Sequence, residues 1–166
     1  MQLVFSPNDT LFNTITIGHT KNKQNMRKYC MSTVDKLTFS PYVSLSTNMG
    51  MSRNIRGLYR IRHVSNPHIV LYYGEGKITP RICRHRDVYN NGGRDMITEN
   101  SSSGSQVAKK MYLYDSSSID NWQYSYAKVE LNCDVDLMKK FIKIYEEILV
   151  ERDQPLYNDK SMTGIA

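Results

Sequence analysis

The stretch that decides the fold runs from Arg56 to Gly76, RGLYRIRHVSNPHIVLYYGEG. Its first part alternates: Tyr59, Ile61 and His63 fall on one side of an extended chain, Leu58, Arg60 and Arg62 on the other. Its last part, HIVLYYG, is a β-branched and aromatic run of strand length. Between them Ser65-Asn66-Pro67 is turn chemistry, because Asn tolerates unusual backbone angles and Pro suits the first residue of a strand. The expectation is a β-hairpin whose loop is centred between Ser65 and Asn66. That register sets Tyr59 directly across from Tyr72 on one sheet face, with Cβ atoms about 5 Å apart.

Downstream, GEGKITPRICRHRDVY offers Thr79 as an N-cap and Pro80 as a first helical residue, so Arg81 and His85 share one helix face. The segment from about 90 to 105, rich in Gly, Ser and Asn, predicts a mobile loop. A short helix from Ser105 to Tyr112 and a third strand in WQYSYAKVEL follow. Asp134 can cap a helix that reaches Arg152, with Leu137, Phe141, Ile144, Tyr145 and Ile148 as its apolar stripe. Glu146 lies at the edge of that stripe, beside Ile142 and Leu149, and Glu147 lies near the opposite edge. Upstream, residues 1–50 are weakly patterned. They hold a basic run (Lys21, Lys23, Arg27, Lys28) and, in LTFSPYVSLSTN, room for one strand. We expect an N-terminal extension or recognition arm over 1–50, followed by one domain over 51–166.

The totals set bounds. A chain of 166 residues with 40% hydrophobic content builds one core, and a net charge of +6 suits a polyanionic partner. Cys30, Cys83 and Cys133 form no CxxC pair, which supports neither a disulfide framework nor a zinc module. The N-terminus lacks signal-peptide character, and no apolar run approaches the length of a membrane span. A soluble, cytoplasmic protein is the expectation.

Gly57-Leu58-Tyr59 followed by Tyr72-Tyr73-Gly74 resembles the signature of the GIY-YIG nucleases. Arg81, with His85 one turn later, matches the arginine and histidine of the family's following helix. EEILVERDQPLYN is similar to its closing motif, with Glu146 and Asn158 in the functional places. The match covers 57–158 and is most like the small GIY-YIG restriction endonucleases. The interval from Tyr72 to Arg81 is one residue shorter than in that pattern, a difference assigned to a loop at EGKITP.

The resemblance implies an α+β fold, a small antiparallel three-stranded sheet flanked by helices. It implies a divalent-metal-dependent DNA endonuclease. Tyr59 would help deprotonate water, aided by His85 or the metal's field. Tyr72 would bond the phosphate or the water, and Arg81 would clamp the phosphate through its planar donor fork. Glu146 would hold Mg²⁺ or Mn²⁺, and Asn158 would orient Glu146 or the phosphate. Gly57 and Gly74 would let backbone and substrate approach closely. DNA contacts are expected from Lys77 and Arg84 and from the basic run Lys21, Lys23, Arg27 and Lys28. One site per chain facing two strands suggests a homodimer or sequential nicking.

Each residue also has a plain reading: Tyr59 and Tyr72 as core aromatics, Arg81 as a solvated helix residue, Glu146 as no better a ligand than Glu147 or Glu151. His63 and His68 are read as surface or satisfied imidazoles at the hairpin. Three alternatives to a restriction-type enzyme follow. They are a phage-type or repair nuclease cutting by DNA structure or modification, a non-catalytic DNA-binding module of the same fold, and an α+β domain with no such role.

Overall fold

The computed structural model describes residues 3–4, 23–48, 50–94, 103–131 and 133–158. The fold is mixed α+β. Three long strands, β3 (Arg56–His63), β4 (Tyr72–Lys77) and β5 (Trp122–Glu130), form an antiparallel sheet in the order β5-β3-β4. Two strands of two residues each extend it beyond the expected three. β2 (Val43–Ser44) pairs antiparallel with β5, and β1 (Leu3–Val4) pairs parallel with its far end. Both come from the weakly patterned first 50 residues and are too short to show a period. The edge strand on the opposite side is β4.

Four helices cover the two faces: α1 (Lys23–Thr33), α2 (Ile78–Asn90), α3 (Ser103–Tyr114) and α4 (Val135–Asp153). The alternation in β3 divides the core as the sequence predicts. Leu58, with Tyr73 and Val129, packs under α1 and α4, where Phe141, Ile144, Tyr145 and Ile148 fill the stripe. Tyr59 and Ile61, with Tyr72 and Trp122, pack under α2 and α3. Asp134 caps α4 as expected, its carboxylate accepting from the amides of Asp136 and Leu137.

The hairpin register differs from expectation by one step. Val64–Leu71 forms the connection, held by Asn66 N–His63 O (3.1 Å) and Ile69 N–Asn66 O (3.0 Å), so Pro67 belongs to the turn and not to the strand. The centre moves one residue along, and Tyr59 pairs with Gly74 while Tyr72 pairs with Ile61. A partner shift of two residues preserves every face. Tyr59 and Tyr72 are therefore diagonal neighbours, with ring centroids 5.9 Å apart.

α2 also begins earlier than predicted. β4 runs through Lys77 into a helix that opens at Ile78, so EGKITP is strand and first helical turn, not a loop. Fully buried Ile78 anchors this start, and its amide bonds Ile55 O at 3.1 Å. The Thr79 hydroxyl reaches Met51 O at 3.4 Å instead of capping. Pro80 is tolerated because a helix's first amides have no intrahelical partner.

The segment expected as an extension joins the core from Lys23 onward. Met26, Tyr29, Cys30 and Thr33 recur at helical spacing and are buried against α4, with Tyr29 edge-on to Phe141 at 5.7 Å and the Thr33 hydroxyl 2.6 Å from Tyr145 OH. Lys21 lies outside the described residues, as does 95–102 of the predicted mobile loop. Among the described residues no helix is long and apolar enough to cross a membrane.

Candidate active site

β4 is the edge strand, with α2 on one face of it and α4 on the other, so side chains from both helices reach its rim. Tyr59 rises from β3 toward α2. Its ring occupies the space that Gly74 leaves open: a Cβ on Gly74 would lie 2.3 Å from Tyr59 Cζ. Gly57 likewise admits the carbonyl of Ala127, which a Cβ would meet at 2.1 Å. At Gly57 this is the close backbone approach that was expected; at Gly74 the room is taken by a tyrosine ring.

The Tyr59 hydroxyl lies 2.9 Å from His85 Nε2. Tyr59, Tyr72 and His85 form a triangle of rings with centroids 5.6–5.9 Å apart. Tyr59 and His85 are each 1% exposed and Tyr72 9%. Burial pushes the Tyr59 phenol well above its ordinary pKa, with Tyr72 adding to the shift and the Arg81 charge opposing it. Tyr72 is pushed up to about 12, chiefly by burial and next by the Glu146 carboxylate. The expectation that His85 lowers the Tyr59 pKa is therefore reversed by desolvation: at neutral pH Tyr59 is a neutral phenol.

Glu146 approaches from α4 and is 8% exposed. Burial raises its pKa, and the bonded Lys143 ammonium acts against that rise. The rival carboxylates of α4 are engaged elsewhere. Glu147 faces Lys23 at 3.7 Å and Glu151 pairs with Arg27, both on α1. Glu146 alone of the three acts electrostatically on both tyrosines. Lys23 and Arg27, two of the cations expected on DNA, pair with carboxylates of α4, and Lys28 is exposed on α1.

Asn158 stands at the same rim with a task different from the expected one. Its Oδ1 accepts from Tyr73 N and its Nδ2 donates to Tyr73 O, both at 2.8 Å. Tyr157 N adds a bond to Leu71 O at 2.8 Å. The segment after Pro155 thus pairs with the outer edge of β4 and holds the backbone next to Tyr72.

A concavity of ≈ 590 Å³ opens where β4 passes into α2, lined by Arg56, Glu75, Lys77, Arg81, Arg84 and Lys139 with Gly76 and Pro80; of the six expected catalytic residues Arg81 lines it, and Tyr59, Tyr72, His85, Glu146 and Asn158 do not. Five cations and one carboxylate make it an anion-attracting surface. Lys77 and Arg84 were expected from the sequence. Arg56, Lys139, Glu75 and the nearby Lys143 were not, although Lys139, Lys143 and Glu146 follow helical spacing along one side of α4. Among the described residues no group of three or more His, Cys, Asp or Glu side chains is placed to hold a metal ion. A cation at this rim would be held by Glu146, a hard oxygen donor, together with water and substrate oxygen, the coordination Mg²⁺ commonly adopts. Comparison of the chain with protein-family models, curated proteins and solved structures gives no match.

Proposed function

We propose that the protein is a divalent-metal-dependent DNA endonuclease of the GIY-YIG type, acting as a restriction-type enzyme that recognises a specific sequence, as a homodimer or by successive nicks. The observation that carries the reading is the convergence of Tyr59, Tyr72, Arg81, His85 and Glu146 at one rim beside a cationic concavity. These residues come from two strands and two helices spread over the chain, and the motif resemblance is their common denominator.

Phosphodiester hydrolysis needs an activated water, neutralised charge on phosphorus and a stabilised leaving oxygen. A neutral Tyr59 activates water by relay: its oxygen takes the water's proton while its own proton passes to His85 Nε2, 2.9 Å away. No free phenolate forms, so the high pKa is no obstacle. Arg81 lines the concavity and offers two parallel donors to a phosphate. Tyr72, held protonated, donates to a phosphate oxygen or orients the water. Arg56, Lys77, Arg84 and Lys139 bind the flanking backbone. Glu146 would hold a Mg²⁺ or Mn²⁺ ion, which would supply charge neutralisation at the leaving oxygen.

Incubation of supercoiled plasmid with the protein tests the reading. Cutting is expected with Mg²⁺, none with EDTA, and none from Glu146→Ala despite retained DNA binding. Binding without cutting in either condition would overturn it in favour of a non-catalytic DNA-binding module, a reading favoured by one observation: Tyr59 and His85 are almost fully buried.

A further inference from the structure

We propose that Lys143 is a displaceable counterion for Glu146, holding the position of the divalent cation while the site is metal-free and setting how tightly that cation binds. The inference rests on the metal-dependent reading above.

A carboxylate removed from water needs a compensating charge or hydrogen bond. Glu146 receives both from Lys143, whose Nζ donates to Oε2 one helical turn away. The two partners differ in exposure. The Glu146 side chain is 10% exposed, while that of Lys143 is 54% exposed. The carboxylate is fixed inside and the ammonium sits at the mouth on a flexible four-carbon stem, able to return to water. The surroundings make a cation necessary there. Glu75 from β4 and Glu147 from α4 both repel a charge on Glu146, and Tyr72 and Tyr59 are neutral.

A divalent ion bound to the same carboxylate would meet the Lys143 ammonium at contact range, where like charges repel strongly. Binding therefore requires Lys143 to leave. A lysine serving only to brace the helix through an ordinary i,i+3 pair would leave metal affinity unchanged.

The test titrates Mn²⁺ into the full chain by electron paramagnetic resonance and follows the Mn²⁺-induced rise in Tm, for the wild type, Lys143→Gln, Lys143→Arg and Glu146→Gln. Lys143→Gln is expected to bind Mn²⁺ about tenfold more tightly than the wild type, in the range by which outer-shell groups tune metal sites, and to gain the larger rise in Tm. Lys143→Arg should keep the wild-type affinity, and Glu146→Gln should abolish the site. Equal or weaker Mn²⁺ binding by Lys143→Gln, in a protein whose cutting still requires metal and Glu146, would overturn this inference alone. Mn²⁺ binding unaffected by Glu146→Gln, or no Mn²⁺ binding by any of the four, would overturn the metal-dependent reading and this inference with it.

Discussion

Two buried histidines, His63 at the end of β3 and His85 in α2, sit in contrasting surroundings, and the proposed relay turns on that contrast. His63, at the end of β3, is 6% exposed and closed at both nitrogens. Nε2 faces Asp115 Oδ2 at 2.9 Å, and Nδ1 faces the Ser65 hydroxyl at 2.7 Å and its amide at 3.2 Å. Because that amide can only donate, Nδ1 is the acceptor and the ring proton sits on Nε2, directed at Asp115. Asp115 is itself held by Ser117 and Asn121, which keep its carboxyl far below the usual range. Trp122 and Tyr114 pack edge-on to the ring. This Ser-His-Asp arrangement looks catalytic in outline but ties the hairpin to the end of α3, and no part of it lines the cationic concavity. His85 instead contacts a neutral phenol next to that concavity. The chemistry of the neighbour, and the charge that lies beyond it, separates the two.

The comparison can be broken by substitution. Tyr59→Phe removes only the relay oxygen and is expected to slow cutting per folded molecule by about 100-fold or more, in the range of positioned proton-transfer groups. A variant that cuts normally would make His85 another structural imidazole. Gly74→Ala forces a methyl group into the Tyr59 ring and should cost about 1–3 kcal/mol, as overpacking does, read by urea unfolding. A neutral outcome would show that the ring is not held by the strand opposite it.

His63→Ala deletes a buried ring packed on Trp122 and Tyr114 and should lower the urea midpoint, as large-to-small core changes do, while the rate per folded molecule stays at the wild-type level. Loss of rate at full folding would transfer catalytic weight to the His63 side. The smallest effect concerns Glu146. Its folded pKa is raised by burial, so the native state loses stability as pH climbs from the ordinary carboxylate range through the folded pKa. Glu146→Gln has no such titration, and its Tm should gain on the wild type between pH 4 and 7. A Tm difference that is constant over that interval would show that Lys143 fully balances the charge.

Much of this was legible in the chain. Period-two alternation in β3 set the two faces, and the 3.6-residue stripe of α4 fixed its length and its capping Asp134. Tyr59 and Tyr72 share a sheet face, as the alternation implied. What escaped has physical causes. The hairpin register depended on turn bonds among His63, Asn66 and Ile69, which propensity does not encode. α1 was hidden by Lys23, Arg27 and Lys28, although Met26, Tyr29, Cys30 and Thr33 carry the helical period beneath them. β1 and β2 are two residues long and defined only by their partner. Arg56, Glu75, Lys139 and Lys143 belong to no motif, and only tertiary structure joins strand and helix around one concavity. The Tyr59 pKa was misjudged because desolvation is a property of the packed protein.

The central claim, that Tyr59 and His85 act as one relay in a metal-dependent nuclease, is tested most directly by single-turnover plasmid cleavage with the wild type, Tyr59→Phe, His85→Ala and the double variant. Groups acting as a unit are strongly non-additive. The account predicts Mg²⁺-dependent cutting by the wild type and one common, much slower rate for all three variants. A double variant slower by the product of the single effects, or a wild type that binds DNA and never cuts it, would contradict it.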